Sequence, residues 1–440
     1  MDNEPGKDSA GSIVGARIRE LLGEAADVAE LCMRCGFCNA VCPTSSLPSA
    51  YLESRTSRGR AVFFRGLLSG RPPEDPLAEE VAADMEYCMS CGRCMNACPL
   101  EIPIPLLVGA YREARAMEKG RSAAERLLRG YDSLDRLAGT VPRLYNAAAG
   151  SVRGTIAKVL GFREDLELPR ASDRRPRIGS WRDGDVLLLV DTYTWAHEPE
   201  APEAVWRLLV AMGLRPEVLG PLDHGMVLLD LGYISRLREE GAELVERLSR
   251  AARGRKIVVI SPASYYMLRR IYPVLLGDGA RRLSADVVDV YELVLERCRG
   301  RGGDGGRNGA RITYHESCLS RSNSQGDRIR KALGMAGYQA EGTLTRCCGL
   351  GGAWGLRRNG ARISDELVRK FLEEAAGLPD GSVVASESEA CRFQLRRLLP
   401  HAEIIYPADL LRRALEDGSL DCSGRSGSAA IPQYAGKTRT

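Results

Sequence analysis

The sequence lacks any run of about 18 apolar residues, the length a helix needs to cross a bilayer, so no membrane-spanning segment is expected. Its opening residues, MDNEPGKDSAGS, lack the apolar core of a signal peptide, and no export signal is expected. One-sided charge is also missing. The chain has 62 basic and 58 acidic side chains, a net charge of +4, which argues against nucleic acid as a partner. Lysine is scarce, at seven of the 62 basic residues. That arginine bias speaks of genome or growth temperature rather than of a partner. No cysteine falls between Cys98 and Cys298.

What the chain does have is length and cysteine. Its 440 residues, 44% of them hydrophobic, exceed one ordinary domain and predict two or three. Eight of the fourteen cysteines fall in two clusters before residue 99, and six follow from Cys298 onward. In a large chain without an export signal, clustered cysteines are expected to hold metal rather than to pair as disulfides. The expected location is the cytoplasm.

Composition divides the chain. A polar leader and a helical stretch (IRELLGEAADVAELC) precede the two cysteine clusters. The segments AVFFRGLLSG and LAEEVAADMEYC read as short helices around the Pro-rich turn RPPEDP. Residues 106–180 form a helical connector ending in a charged linker; within it, 133–162 is amphipathic enough to lie on a bilayer or to pack on the following domain. Strong strands are expected at 185–191 and 255–262, then at 311–318, near 338–346 and at 381–388. The similar closing phrases VVDVYELVLERC and EIIYPADLLRRAL mark an internal repeat of about 110 residues, joined by the glycine-rich GRGGDGGRNG. The domains predicted are 1–105, 106–180, 181–300 and 310–420, with a flexible tail over 421–440.

The two clusters are copies of one motif. Cys32, Cys35, Cys38 and Cys42-Pro43 repeat as Cys88, Cys91, Cys94 and Cys98-Pro99, the spacing of a two-cluster bacterial ferredoxin. Three thiolates two residues apart wrap one face of a cubane, and the fourth points toward the other cluster. The predicted ligand sets therefore cross: Cys32, Cys35, Cys38 and Cys98 for one [4Fe-4S] cluster, and Cys42, Cys88, Cys91 and Cys94 for the other. A pair of zinc sites would not use a third evenly spaced thiol and a Cys-Pro twice over. The 45 residues between Cys42 and Cys88 exceed those of a small ferredoxin and look helical, so an α-helical ferredoxin module is expected.

Four further cysteines form a third group: Cys318, Cys347, Cys348 and Cys391. Gly349, Gly351 and Gly352 beside them let backbone approach a bulky cofactor and supply amide donors to its sulfurs. A third iron–sulfur cluster is the reading these glycines favour; zinc in a four-thiolate site and buried free thiols are the alternatives. Cys298 and Cys422 have no partner in any pattern. No flavin or nicotinamide site is evident, so the chain is not expected to accept a hydride alone.

Together these features resemble the CCG-domain family of iron–sulfur proteins, which includes the iron–sulfur subunits of glycolate oxidase and anaerobic glycerol-3-phosphate dehydrogenase and a fused subunit of heterodisulfide reductase. The residues carrying the resemblance are Ser57-Arg58-Gly59-Arg60, Tyr314-His315-Glu316-Ser317-Cys318 and Cys347-Cys348-Gly349-x-Gly351-Gly352. The family pattern, repeated twice, is a cysteine, then Cys-Cys-Gly, then Cys-x-x-Cys. Here the second repeat reads Ser388-Glu389-Ala390-Cys391 at the last position, and the first repeat keeps no cysteine. Thr192 or Tyr193, Asp223-His224-Gly225 and Ser261-Pro262-Ala263-Ser264 stand in their places. Oxygen donors are poor substitutes for thiolates on iron–sulfur clusters, so repeat one reads as a scaffold without a cluster. Ser388 is expected to be a loop residue rather than a ligand, and His224 with Asp223 a hydrogen-bonded pair.

The resemblance implies a fold of a helical ferredoxin domain followed by two α/β CCG domains, the first degenerate. It implies an electron-transfer subunit working with an FAD-containing dehydrogenase of 2-hydroxy acids or glycerol 3-phosphate. Its acceptor would be a quinone or another redox carrier, and membrane contact would be at most peripheral. The alternative it offers is a heterodisulfide reductase-like subunit acting on a disulfide or quinone at the third site.

Overall fold

A computed structural model describes residues 10–70, 75–152, 154–300 and 310–422. The polar leader over 1–9, most of the Pro-rich turn, the glycine-rich joint at 301–309 and the tail after Cys422 lie outside the described residues.

The N-terminal part is helical. Helices Ala10–Leu22, Ser57–Leu68 and Ile104–Lys119 bury Ile18, Phe64, Leu106 and Leu107 in one core. The first eleven residues of Ile104–Lys119 are all buried. A helix that is enclosed all round works as the central post of its module, so this helix packs with the cysteine motifs rather than standing apart as a connector. After it, Tyr131–Thr140, Pro142–Ser151 and Thr155–Leu160 bury Asp135, Ala138 and Ala157. The same helices leave Leu134, Leu137, Leu144, Ile156 and Val159 exposed. Among the described residues no helix is long and apolar enough to cross a membrane.

Two parallel sheets follow. Strand β1 (Val186–Asp191) is buried at every position, the mark of a strand covered on both faces. It pairs with β2 (Pro216–Leu222) and β3 (Ile257–Val259), and β3 pairs with β4 (Val287–Asp289), giving the order β2-β1-β3-β4. The second sheet holds β5 (Ala310–His315), β6 (Tyr338–Leu344), β7 (Val383–Ala385) and β8 (Glu403–Ile405) in the order β6-β5-β7-β8, again all parallel. Trp206 and Leu209 of the first unit share a core with Tyr314 and Leu411 of the second. Arg392 of the second unit donates to Glu198 of the first, both fully buried. The loops at the carboxyl ends of such strands are where ligands bind in open parallel sheets.

Three strands are shorter than the sequence predicts. They end at Val259, His315 and Ala385 rather than at 262, 318 and 388. The cause is a serine in each loop. The hydroxyls of Ser261, Ser317 and Ser388 accept from the amides of Ala263, Ser320 and Cys391, capping the helices that follow.

Cys298 and Cys422, which stand in no sequence pattern, are structural: they form a disulfide with each other. The bond closes a two-residue antiparallel ladder of Arg299–Gly300 with Leu420–Asp421. A separation of 124 residues hides the pair from any spacing pattern. Asp421 and Cys422 are accordingly part of the fold, not of a flexible tail.

Candidate functional site

Both ferredoxin motifs take the same path. Each begins as a loop, and its third cysteine sits on a short helix: Cys38 in Phe37–Val41, Cys94 in Arg93–Asn96. Left-handed residues recur at equivalent steps, Arg34 (φ 59°) and Gly36 (φ 85°) in the first, Ser90 (φ 53°) and Gly92 (φ 72°) in the second. This alternation turns successive amides toward a common centre, an arrangement suited to an anion. At Gly92 a Cβ would stand 2.4 Å from the Tyr266 ring, so no larger residue fits.

Cys32, Cys35, Cys38 and Cys98 line one cavity, closed by Ala61, Ile102 and Ile104. Cys35 is exposed, and this cavity opens to solvent. Cys42 stands instead with Cys88, Cys91 and Cys94, of which Cys88 and Cys94 are buried and Cys42 and Cys91 half-buried. Burial, then the adjacent Cys88, Cys42 and Cys91, pushes the Cys94 thiol well up. Cys42 is the exception in this set. Burial pushes it up too, but the Arg60 guanidinium and hydrogen bonds from Ser45 and Thr44 outweigh burial and bring it down to about 7.

The four later cysteines meet at the carboxyl end of the second sheet. Cys318 opens a short helix after β5, Cys347 and Cys348 follow β6, and Cys391 lies on the helix after β7. Cys318 and Cys347 sulfurs are 3.8 Å apart, and those of Cys348 and Cys391 are 3.4 Å apart. The Gly349 amide donates to Cys347 Sγ at 3.4 Å. Cys91 of the second ferredoxin motif adjoins Cys318, which is the largest influence raising its thiol. Met89 Sδ of the same motif lies 3.9 Å from Cys347 Sγ, and a Cβ on Gly351 would press to 2.9 Å from the Met89 methyl. The third group and the second motif are thus in van der Waals contact. Among the described residues no three donors close on a single point as they would around one ion; the thiols form a string.

The residues around Cys318 position it. Tyr314 and Ser317 donate to the buried Glu387 carboxylate. His315 bonds Ser386 through Nδ1, and burial pushes its pKa down to about 4, so it is neutral. Ser388 is the N-cap of the helix bearing Cys391. In the first unit, Asp223 Oδ1 and His224 Nδ1 accept from the Gly225 and Met226 amides, 3.0 and 3.2 Å away, which makes them turn-forming residues.

What sequence reasoning missed is that this turn faces the second unit. His224, Met226 and Asp230 line a cavity of about 130 Å³ together with Cys91, Cys318, Cys348 and Cys391. Asp230 is buried, neither carboxylate oxygen has a hydrogen-bond partner among the described residues, and burial, against the pull of Arg112 and Arg357, raises its pKa to about 7. Glu389, which accepts from Ser261 of the first unit, is likewise pushed up, by burial and then by Asp191. Asp230 stands in no motif, and Glu389 falls at an unspecified position of the Ser388-Glu389-Ala390-Cys391 motif, so no sequence signal marks either carboxylate.

Twelve thiols in two matched loops and one string suit thiolate-bound clusters, since buried thiolates require compensating metal charge. Comparison with known proteins agrees. Residues 31–102 match the model of the 4Fe-4S dicluster domain. Over 362 residues the chain is 25% identical to the "Glycolate oxidase iron-sulfur subunit" of Escherichia coli K12, covering 76% of this chain and 82% of that protein. It is 31% identical over 115 residues to the "Probable glycolate oxidase iron-sulfur subunit" of Bacillus subtilis 168, covering 26% of this chain and 25% of that one. A "Probable membrane-anchored ferredoxin" of Chromohalobacter salexigens is 25% identical over 373 residues, 76% of this chain and 51% of that protein. The chain thus spans a quarter and about half of the length of the last two. The chain is an iron–sulfur protein with a 4Fe-4S dicluster domain, a relative of the glycolate oxidase iron–sulfur subunits.

Proposed function

We propose that the chain is the electron-transfer subunit of a flavin-dependent dehydrogenase complex, of the kind that oxidises a 2-hydroxy acid or glycerol 3-phosphate. The partner is an FAD-containing subunit, which takes the hydride; this chain passes the electrons on singly. Two [4Fe-4S] clusters use the crossed sets Cys32, Cys35, Cys38, Cys98 and Cys42, Cys88, Cys91, Cys94. A third, held by Cys318, Cys347, Cys348 and Cys391, completes the chain of centres. The CCG arrangement of the two α/β units belongs to this reading, with the first unit lacking a cluster. Iron–sulfur is preferred to zinc at the third site because Gly349, Gly351 and Gly352 beside Cys348, all at positive φ, let the backbone approach a larger cofactor than a single ion. The acceptor is a quinone or another redox carrier. The apolar side chains left exposed on Tyr131–Leu160 support at most peripheral contact with a membrane at its cytoplasmic face.

One observation carries the proposal: Cys91 and Met89 of the second motif touch Cys318 and Cys347 of the third group. That contact gives three centres in series, buried at one end and open to solvent at Cys35 at the other. A relay needs such an order, and a scaffold does not. The test is co-purification of the native complex from an anaerobic extract. The complex should carry FAD on another polypeptide and oxidise its substrate, while the flavin-free chain exchanges electrons with artificial dyes but does not oxidise lactate, glycolate or glycerol 3-phosphate. Turnover of any of these by the chain alone would defeat the reading.

A further inference from the structure

Arg60 is among the largest fully buried side chains, 1% exposed, on the helix Ser57–Leu68. Its neighbours on this segment have carboxylate partners, Arg55 with Asp84 and Arg58 with Glu53. Among the described residues none pairs with Arg60. Its Nη1 donates to the Arg55 carbonyl at 3.0 Å, its Nη2 to Cys42 Sγ at 3.4 Å, and its Nε has no partner. The charges nearest to it are the sulfurs of Cys42, Cys88 and Cys94. A lone cation inside a protein is costly to bury, by several kcal/mol. The anion that offsets it here must lie among those sulfurs, and a four-thiolate cluster is such an anion.

The first cavity has no counterpart. Of the arginines beside it, Arg34 is exposed and Arg58 is only partly covered and held by Glu53. Arg65 is half-buried and donates to the Cys32 carbonyl, not to a sulfur. Water and counter-ions screen exposed charges strongly and buried ones little.

We propose that Arg60 tunes the cluster at Cys42, Cys88, Cys91 and Cys94, holding its reduction potential up relative to what the same ligands would give alone. The inference rests on the cluster assignment above. The step is a one-electron reduction: one electron enters the cluster, no bond forms or breaks and no proton moves. The cluster becomes one charge more negative, and a fixed buried cation in contact with a ligand sulfur favours that form.

The experiment uses the full chain, reconstituted anaerobically, with both ferredoxin signals followed by electron paramagnetic resonance during a redox titration. The Cys42→Ser variant identifies the signal of the second cluster by its loss. In Arg60→Gln that signal's midpoint should fall so that, at a fixed potential, its oxidised-to-reduced ratio rises about tenfold or more, which is about 59 mV for one electron. The first cluster's midpoint should not move. Arg60→Lys keeps the charge but withdraws it from Cys42 and should show a smaller fall in the same direction, again at the second cluster only. In the wild-type protein, arginine labelled with ¹⁵N only in the guanidinium should give a nitrogen coupling at the second cluster stronger than any at the first, and Arg60→Lys, which leaves Arg112 on the Cys88 carbonyl, should abolish its strongest part. An unmoved midpoint in an assembled variant, an equal fall at both clusters, or a missing coupling would overturn the proposal. A wild-type chain with no second iron–sulfur signal would overturn the cluster assignment instead.

Discussion

The two α/β units have the same strand order and opposite chemistry. In each, the second strand in sheet order opens the unit and the loops gather at the carboxyl ends. The second unit puts Cys318, Cys347, Cys348 and Cys391 in those loops. The first puts Thr192, Asp223-His224 and Ser261 there, and spends the side chains of Asp223, His224 and Ser261 on turns and a cap. Yet the loops of the first unit are not idle surface, for His224 and Asp230 form a wall of the cavity that the second unit's thiols enter. Loss of ligands need not release a loop from a site when packing still holds the two units face to face.

Several outcomes would break or sharpen that comparison. The largest effect belongs to the second unit. Cys347→Ala should remove the third centre and lower iron from about twelve to about eight atoms per chain, with both ferredoxin signals intact. Elemental analysis showing about eight irons plus one zinc in the wild type would assign the site to zinc. Next is Cys42→Ser. It should damage the cluster of Cys88, Cys91 and Cys94, its partners in space, and spare that of its sequence neighbours Cys32, Cys35 and Cys38; spectroscopy showing the reverse would refute crossed ligation.

Asp230 tests the first unit's share in the cavity. Its pKa is raised from 3.8 to about 7, so the neutral carboxyl adds stability that is full below about pH 4 and is lost as pH rises through 7. The shift corresponds to about 4 kcal/mol at most. Thermal unfolding followed from pH 4 to 8 should show this fall in the wild type and a flatter profile in Asp230→Asn. Equal profiles would mean that the carboxyl meets solvent. The smallest effect is expected at His224. His224→Ala should leave iron content unchanged; loss of a cluster would give the first unit a ligand after all and strengthen the reading closer to heterodisulfide reductase.

The ferredoxin motifs were legible because a thiolate ligand must sit at a set step from its neighbour, and that step is written in sequence as Cys-x-x-Cys. The glycines next to Cys348 were legible for a similar local reason. Gly349, Gly351 and Gly352 all have positive φ, between 55° and 85°. Strand β1 announced itself as a continuous apolar run. The ends of β3, β5 and β7 did not, because a serine's choice between ladder and cap depends on the helix that follows. The disulfide of Cys298 and Cys422 was invisible because its partners meet only when the C-terminal ladder forms.

By itself the sequence determined the donor atoms, their local spacing and the doubling of both the ferredoxin motif and the α/β unit. Periodicity and ligand spacing are properties of neighbouring residues. Tertiary structure alone decided which cysteines face one another, that Cys91 reaches Cys318, that Arg60 is buried with no carboxylate partner among the described residues, and that the first unit's turn closes the second unit's cavity. Those facts depend on contacts between residues tens to hundreds of positions apart. Burial, which gives a charge its strength by removing the water that would screen it, exists only once those contacts are made.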